Sequence, residues 1–302
     1  MPALSLENIV SSPLSLSRLA LLSLLIVGLN GCSSLPGLDH ANAQPQTNAP
    51  LSKKESAEAL RLARVLRDNG RIEAATEVYA RMDQRQQLNP RELLEYASVA
   101  ALVRKPQQSL ELYGRARHAL GGADNLSSPE SLITCLGMGR ARLALNQLQA
   151  AAKDFNCALK AQPDSTEGLN GLGVVNNSLG QTEQAQKLFQ QVLEIDPSNQ
   201  PALNNLAMTY LSTQQPQQAI TLLQGASLNA TPSLVLNLAL AHLLKGDSDQ
   251  ARQTLSRNLP DANTEDLLQA LQTSVARIHA GSPAATELLA ASQRPLALGT
   301  PQ

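Results

Sequence analysis

Aromatic side chains are almost missing from this chain. Its 302 residues include no tryptophan, two phenylalanines and four tyrosines. Sheets draw heavily on aromatic and β-branched residues, so this composition disfavours a β-sandwich. Leucine and alanine are plentiful instead, and both are good helix formers. The composition therefore favours a helical fold whose core is built from leucine and alanine.

The chain also lacks an excess of either charge. Twenty-four basic and 25 acidic residues leave a net charge of -1. No block of lysine and arginine marks a nucleic-acid-binding surface, so we expect no nucleic-acid partner. Arginines do cluster between residues 61 and 91, interleaved with acids. This cluster is either a set of solvated helix faces or a docking edge for an acidic partner or lipid head groups.

Candidate catalytic and metal-binding groups are few and scattered. The four histidines are far apart, and no His-Glu-x-x-His, Gly-x-Ser-x-Gly or Walker pattern is present. Cys135 and Cys157 have no histidine near them in the sequence, which argues against a metal site. We therefore expect a non-enzymatic protein with no cofactor and no metal.

What the chain does contain is an internal repeat with a period of 34 residues. The first copy has Gly139, Ala151, Phe155, Ala158 and Pro163, and the second has Gly173, Ala185, Phe189, Val192 and Pro197. A third copy continues in register with Ala207, Ala219 and Leu223. This pattern resembles the tetratricopeptide repeat, in which each unit is a pair of helices and neighbouring units stack.

The register extends to about six units. They begin near Ser56, Pro90, Leu132, Thr166, Gln200 and Pro232, and an apolar-periodic stretch at 265–279 predicts a capping helix. Residues 121–130, rich in Gly, Ser, Asp and Asn, predict a longer loop. Gly180 and Gly246 should end first helices with positive φ. We predict an all-α tetratricopeptide-repeat solenoid over residues 53–280.

The N-terminal segment predicts export. Arg18 precedes an apolar run at 19–29, which is too short for a permanent transmembrane helix. The run ends in Leu29-Asn30-Gly31-Cys32, which resembles a lipobox. We predict a lipoprotein signal peptide over 1–31 and lipidation of Cys32; the alternatives are an ordinary secretory signal that contains a cysteine, or an uncleaved anchor. The Ser that follows Cys32 resembles an outer-membrane address, so we expect anchoring at the periplasmic face of that membrane.

Both ends of the chain lie outside the repeat pattern. Residues 32–52 are mostly small and polar, and 281–302 contain three prolines among small residues. Such segments cannot bury enough apolar surface to order themselves. We predict a disordered, lipid-anchored tether at 32–52 and a disordered tail at 281–302.

The repeat resemblance also implies a peptide-binding groove lined by first-helix positions. In this sequence the positions are Arg64, Leu94, Arg140, Asn170, Val174, Asn177, Asn204 and Met208. Apolar members would accept apolar anchors, and asparagine would bond the peptide backbone. The alternative is that these positions are buried against the neighbouring repeat.

Cys135 and Cys157 fall on the first and second helix of one repeat. A disulfide between them is possible in the periplasm. The alternative is two buried thiols that fill core space.

The C-terminal half resembles a particular family of repeat lipoproteins. The stretches Pro-Ala-Leu-Asn-Asn-Leu-Ala at 201–207 and Val-Leu-Asn-Leu-Ala-Leu-Ala at 235–241 resemble the TadD-type lipoproteins of the tight-adherence (Tad or Flp) pilus machinery. The resemblance covers about 132–280, although the aromatic-rich helix expected after Pro260 is missing. It implies a scaffold or pilotin for the pilus secretin or other Tad components. The alternatives are a type IV pilus pilotin, an outer-membrane assembly factor, an adaptor for peptidoglycan enzymes, or an enzyme or enzyme regulator.

Overall fold

The computed structural model describes residues 52–225 and 231–282, and within these ranges the chain is helical without a β-strand. The predicted signal peptide, Cys32, nearly all of the tether and most of the tail lie outside the described residues. The helices are α1 Lys53–Asp68, α2 Ile72–Gln84, α3 Pro90–Ala100, α4 Pro106–Ala119, α5 Ser128–Ala144, α6 Leu148–Ala161, α7 Thr166–Ser178, α8 Thr182–Ile195, α9 Gln200–Ser212, α10 Pro216–Gly225, α11 Pro232–Leu244, α12 Ser248–Asn258 and α13 Thr264–His279.

The helices form six consecutive pairs, from α1 and α2 to α11 and α12. Each helix packs on the next along the chain, and α13 packs on both α11 and α12. The predicted all-α solenoid of six helix pairs with a capping helix is therefore confirmed. Gly180 and Gly246 end first helices with φ of 76° and 88°, as predicted, because residues with a Cβ are disfavoured in this region.

Two first helices begin earlier than the repeat register predicts: α1 begins at Lys53 rather than near Ser56, and α5 departs further. Helix α5 begins at Ser128, about one turn before the predicted start near Leu132. The reason is local: Pro129 occupies the first turn, and Ser127 with Glu130 forms a capping box, in which each side chain bonds the other residue's backbone N–H. The loop predicted for 121–130 is correspondingly shorter than expected.

Three aromatic rings of the core, those of Tyr113, Phe155 and Phe189, sit against glycines of first helices. Phe155 on α6 is almost fully buried and lies between Gly139 of its own repeat and Gly171 of the next. A Cβ added to Gly171 would lie 2.3 Å from Phe155 Cε1, and one added to Gly139 would lie 3.0 Å from it. Tyr113 fills the space beside Gly137 in the same way. These glycines allow the helices to approach closely.

The C-terminal pair has the most apolar helix. Helix α11 is buried around most of its circumference, because α9, α10, α12 and α13 all pack against it. Among the helices that the structure describes, none has both the length and the apolar character needed to cross a membrane.

Candidate functional site

The first helices of successive repeats touch one another. Helix α3 contacts α5, α5 contacts α7, α7 contacts α9, and α9 contacts α11. This row of first helices forms what we call the inner face. Its main depressions are the candidate sites for a bound partner.

One depression, the α3–α5 groove, has a volume of about 620 Å³. Its lining is Arg67, Arg91, Leu94, Glu95, Ser98, Val99, Leu102, Ser127, Pro129, Glu130 and Ile133. Leu102 is 69% exposed and Ile133 is 42% exposed. A volume of this size is typical of ligand-binding pockets, and large apolar side chains left in water within one groove mark an interaction site.

The extra turn of α5 builds one wall of this groove. Pro129 and Glu130 belong to that turn, Ser127 caps it, and Ile133 follows one turn later. The opposite wall comes from α3 and from Leu102, which lies in the turn between α3 and α4. The groove therefore depends on the residues that depart from the 34-residue register.

Two clusters of charged side chains border the groove. Arg91 Nε donates to Glu130 Oε1 at 2.9 Å, which links α3 to α5. Glu95 accepts from Arg64 Nη2 at 2.8 Å and from Arg67 Nη1 at 2.5 Å, which links α3 to α1. The Tyr79 hydroxyl also donates to Glu95 Oε1 at 2.7 Å. These bonds hold the walls together.

The Glu95 carboxylate stays charged in this setting. Partial burial acts to raise its pKa, but the hydrogen bonds from Arg64 and Tyr79 and the charges of Arg64 and Arg67 outweigh it, so the pKa is lowered overall. Burial together with the hydrogen bond to this carboxylate raises the pKa of Tyr79. The tyrosine therefore remains a hydrogen-bond donor.

Two smaller depressions, each of about 300 Å³, continue along the inner face. One lies between α5, the end of α3 and the start of α4, and it includes Leu102 and Arg140. The other lies between α5, α7 and α9 and includes Arg140, Leu143, Asn170 and Val174. Arg140 also forms an ion pair with Glu167 of α7.

The structure brings some of the predicted groove residues together and separates others. Arg140, Asn170 and Val174 line one depression, and Leu94 lines the α3–α5 groove although it is almost fully buried. Arg64 pairs with Glu95, and Met208 packs against the C-terminal core. Asn177 is half-buried near the end of α7.

Two of the three predicted asparagines, Asn170 and Asn204, form hydrogen bonds between repeats. Asn205 Nδ2 donates to Asn170 Oδ1 at 3.0 Å, and Asn237 Nδ2 donates to Asn204 Oδ1 at 2.7 Å. These bonds join first helices of neighbouring repeats. The side-chain oxygens of Asn170 and Asn204, which we expected to bond a peptide backbone, therefore accept hydrogen bonds from the neighbouring repeat instead.

Sequence reasoning missed Leu102, Pro129, Glu130 and Ile133. Leu102 lies in a turn and gives no helical signal, but the Ser127-x-x-Glu130 pattern with Pro129 is a recognisable helix start. That signal would have placed Glu130 and Ile133 on a helix beside α3.

Cys135 and Cys157 form a disulfide in the structure. Their Cα atoms are 5.8 Å apart, and the bond joins α5 to α6. Helix α5 also carries Ile133 and Glu130, so the bond ties the wall of the groove to the helix behind it. Among the described residues, no group of three or more His, Cys, Asp or Glu could hold a metal ion.

Comparisons with known proteins agree with the helix-pair architecture. Two family models of the tetratricopeptide repeat match, one at 136–200 and the other at 178–235. This chain is a tetratricopeptide-repeat protein. Folds of this kind are typically non-catalytic scaffolds for protein–protein interaction. No curated protein sequence matches the chain.

Solved structures of tetratricopeptide-repeat proteins share the fold. A tetratricopeptide-repeat protein from Parabacteroides merdae is 16% identical, with a TM-score of 0.55 over 80% of this chain and 100% of that one. A structure of pilF from Pseudomonas aeruginosa is 14% identical, with a TM-score of 0.53 over 72% of this chain and 97% of that one. At these identities the likeness concerns the fold alone.

Proposed function

We propose that this tetratricopeptide-repeat protein is an envelope lipoprotein that binds a protein partner in the α3–α5 groove. The observation that carries the proposal is the pair of exposed apolar side chains, Leu102 and Ile133, facing one open groove on the inner face. Burial of such side chains is the usual source of affinity at a protein interface. Nothing in this role requires a catalytic step.

Two features support a location outside the cytoplasm. The sequence carries the lipobox-like Leu29-Asn30-Gly31-Cys32, and Cys135 is joined to Cys157. Structural disulfides persist in oxidising compartments such as the periplasm. Our proposal places the protein at the periplasmic face of the outer membrane, anchored by a lipid on Cys32.

The proposed setting is the assembly of a Tad or Flp pilus machine. It is supported by the resemblance of 201–207 and 235–241 to TadD-type lipoproteins, together with the scaffold fold. In that setting the partner is the pilus secretin or another Tad component. The alternative is another envelope role of such lipoproteins, as a type IV pilotin, an outer-membrane assembly factor or an adaptor for peptidoglycan enzymes.

Crosslinked capture from membranes tests the groove. We expect the protein to capture the secretin or another Tad component, identified by mass spectrometry. The double variant Leu102→Glu with Ile133→Glu should lose at least nine-tenths of that capture, because carboxylates would replace the apolar contacts. The matched control is Ile195→Glu, since Ile195 is 49% exposed but lies on a second helix.

The possible outcomes test the binding site and distinguish the two proposed settings. Loss of the secretin in the groove variant but not in the control supports the proposal. Capture of peptidoglycan enzymes or outer-membrane assembly proteins instead would favour the alternative setting. Undiminished capture by the groove variant would overturn the proposed binding site.

Replacing Cys32 with serine tests the anchor. Without the thiol no lipid can be attached, so the variant should move from the membrane fraction to the soluble periplasmic fraction. Cell fractionation followed by immunoblotting measures this, with Cys157→Ser as the control that keeps Cys32. Continued outer-membrane fractionation of the Cys32→Ser protein would contradict lipid anchoring.

A further inference from the structure

The charges around the α3–α5 groove are arranged with the acids inside and the bases outside. The Arg91 side chain is 82% exposed, whereas its partner Glu130 is 15% exposed. Arg64 and Arg67 are likewise more exposed than Glu95, which both of them contact. A ligand that approaches the groove therefore meets guanidinium groups first.

The two acids have little capacity left for a ligand. Glu95 accepts hydrogen bonds from Arg64, Arg67 and Tyr79. Glu130 accepts from the backbone N–H and the hydroxyl of Ser127 and from Arg91. A basic ligand would have to displace these bonds, and it would also meet the exposed arginines.

Arg91, in contrast, has donors to spare. Its Nε donates to Glu130, and among the described residues its two Nη atoms have no hydrogen-bond partner. Guanidinium groups bind carboxylates through paired N–H donors. Asp68, which is exposed, is bonded to Arg67 of the groove lining.

We propose that the α3–α5 groove binds an acidic, apolar-anchored segment of a partner protein. Two or three large apolar side chains of the segment pack against Leu102, Ile133 and Leu94, and an adjacent Asp or Glu pairs with Arg91. This inference rests on the proposed function and adds the chemistry of the partner. One wall of the site is built from the extra turn of α5, which the repeat register does not contain.

Two designed peptides test the proposal against the full-length protein. Both carry three leucines at the same helical spacing, and the other positions are mainly glutamate in one and mainly lysine in the other. Fluorescence anisotropy should give a Kd at least tenfold lower for the glutamate peptide. Because counterions screen exposed charges, raising the salt to about 0.5 M should weaken that binding.

Point variants locate the contact. Arg91→Glu should weaken binding of the glutamate peptide at least tenfold and should reduce or reverse the preference for it over the lysine peptide. Arg257 is an exposed arginine on α12, so Arg257→Glu should not change the binding of either peptide. Ile133→Glu should weaken the glutamate peptide at least tenfold, and Ile195→Glu is its matched control. Arg91 and Ile133 are exposed, so folding should persist, and circular dichroism checks this.

Several results would overturn the inference. Equal or tighter binding of the lysine peptide is one, and insensitivity to Arg91→Glu is another. Binding of the lipid-free Cys32→Ser protein to phosphatidylglycerol vesicles that Arg91→Glu abolishes, without discrimination between the peptides, would assign the surface to anionic lipid instead. If cellular capture needs Leu102 and Ile133 but not Arg91, the proposed function stands and the acidic chemistry is wrong. If substitutions at Leu102, Ile133 and Arg91 all leave cellular capture unchanged, the proposed function itself is wrong.

Discussion

We expect the substitution Gly137→Ala to lower the free energy of unfolding by about 1–3 kcal/mol, the range for overpacking a filled core. The added Cβ would lie 2.0 Å from Cζ of Tyr113. That ring is buried between α4 and α5, so either the ring or α5 must shift. Urea unfolding followed by circular dichroism measures the loss.

Gly114→Ala is the matched control. Gly114 is also inside a helix, α4, but a Cβ there would meet no atom within 4 Å. Alanine is the better helix former by about 1 kcal/mol, so this variant should be slightly more stable than the natural protein. Equal stability of the Gly137→Ala variant and the natural protein would mean that α4 and α5 pack less tightly than the structure shows.

Removing the Cys135–Cys157 disulfide should cost about 3 kcal/mol, the value that chain-entropy arguments give for a loop of this length. The bond closes a sequence separation of 22 residues. Without it, the unfolded chain gains conformational freedom, and α5 loses its covalent link to α6. Thermal melts of Cys135→Ser with Cys157→Ser against the natural protein measure the difference.

Reduction by dithiothreitol provides an internal control for the contribution of the disulfide to stability. In a Cys32→Ser background the sequence has no cysteine besides this pair. Dithiothreitol should lower the melting temperature of the Cys32→Ser protein. It should not change the melting temperature of the variant in which all three cysteines are replaced by serine. No effect of dithiothreitol on the former would show that the two thiols are unpaired in solution.

The central repeats were predictable because each position has a packing requirement that only a few residues meet. Gly139, Ala151 and Phe155 recur 34 residues later, and in the structure the ring of Phe155 does fill the space beside Gly139. A period this regular predicts the helix pairs and their order. The same reasoning placed Gly180 and Gly246 at helix ends with positive φ.

The groove was harder to predict because it lies where the period breaks. The composition of 121–130 indicated a loop, yet Ser127, Pro129 and Glu130 start a helix inside it. The repeat positions predicted Arg140, Asn170 and Val174 as groove residues, and in the structure these three line one depression. The repeat positions do not include Leu102, and the exposure of a side chain in a turn depends on which side chains the neighbouring helices place beside it.

The position of Phe155 bears on how this array can be cut and recombined. Its ring belongs to α6, but part of the space that it occupies is provided by Gly171 in the next repeat. A boundary drawn at Pro163, between the two repeats, would separate the ring from that glycine. Exchanging a single repeat for one from another protein would then place a foreign side chain against Phe155. Joining within the α5–α6 turn instead would separate the ring from Gly139 and Cys157 from Cys135. A chimaera that keeps the contacts of Phe155 therefore has to carry α5, α6 and α7 together.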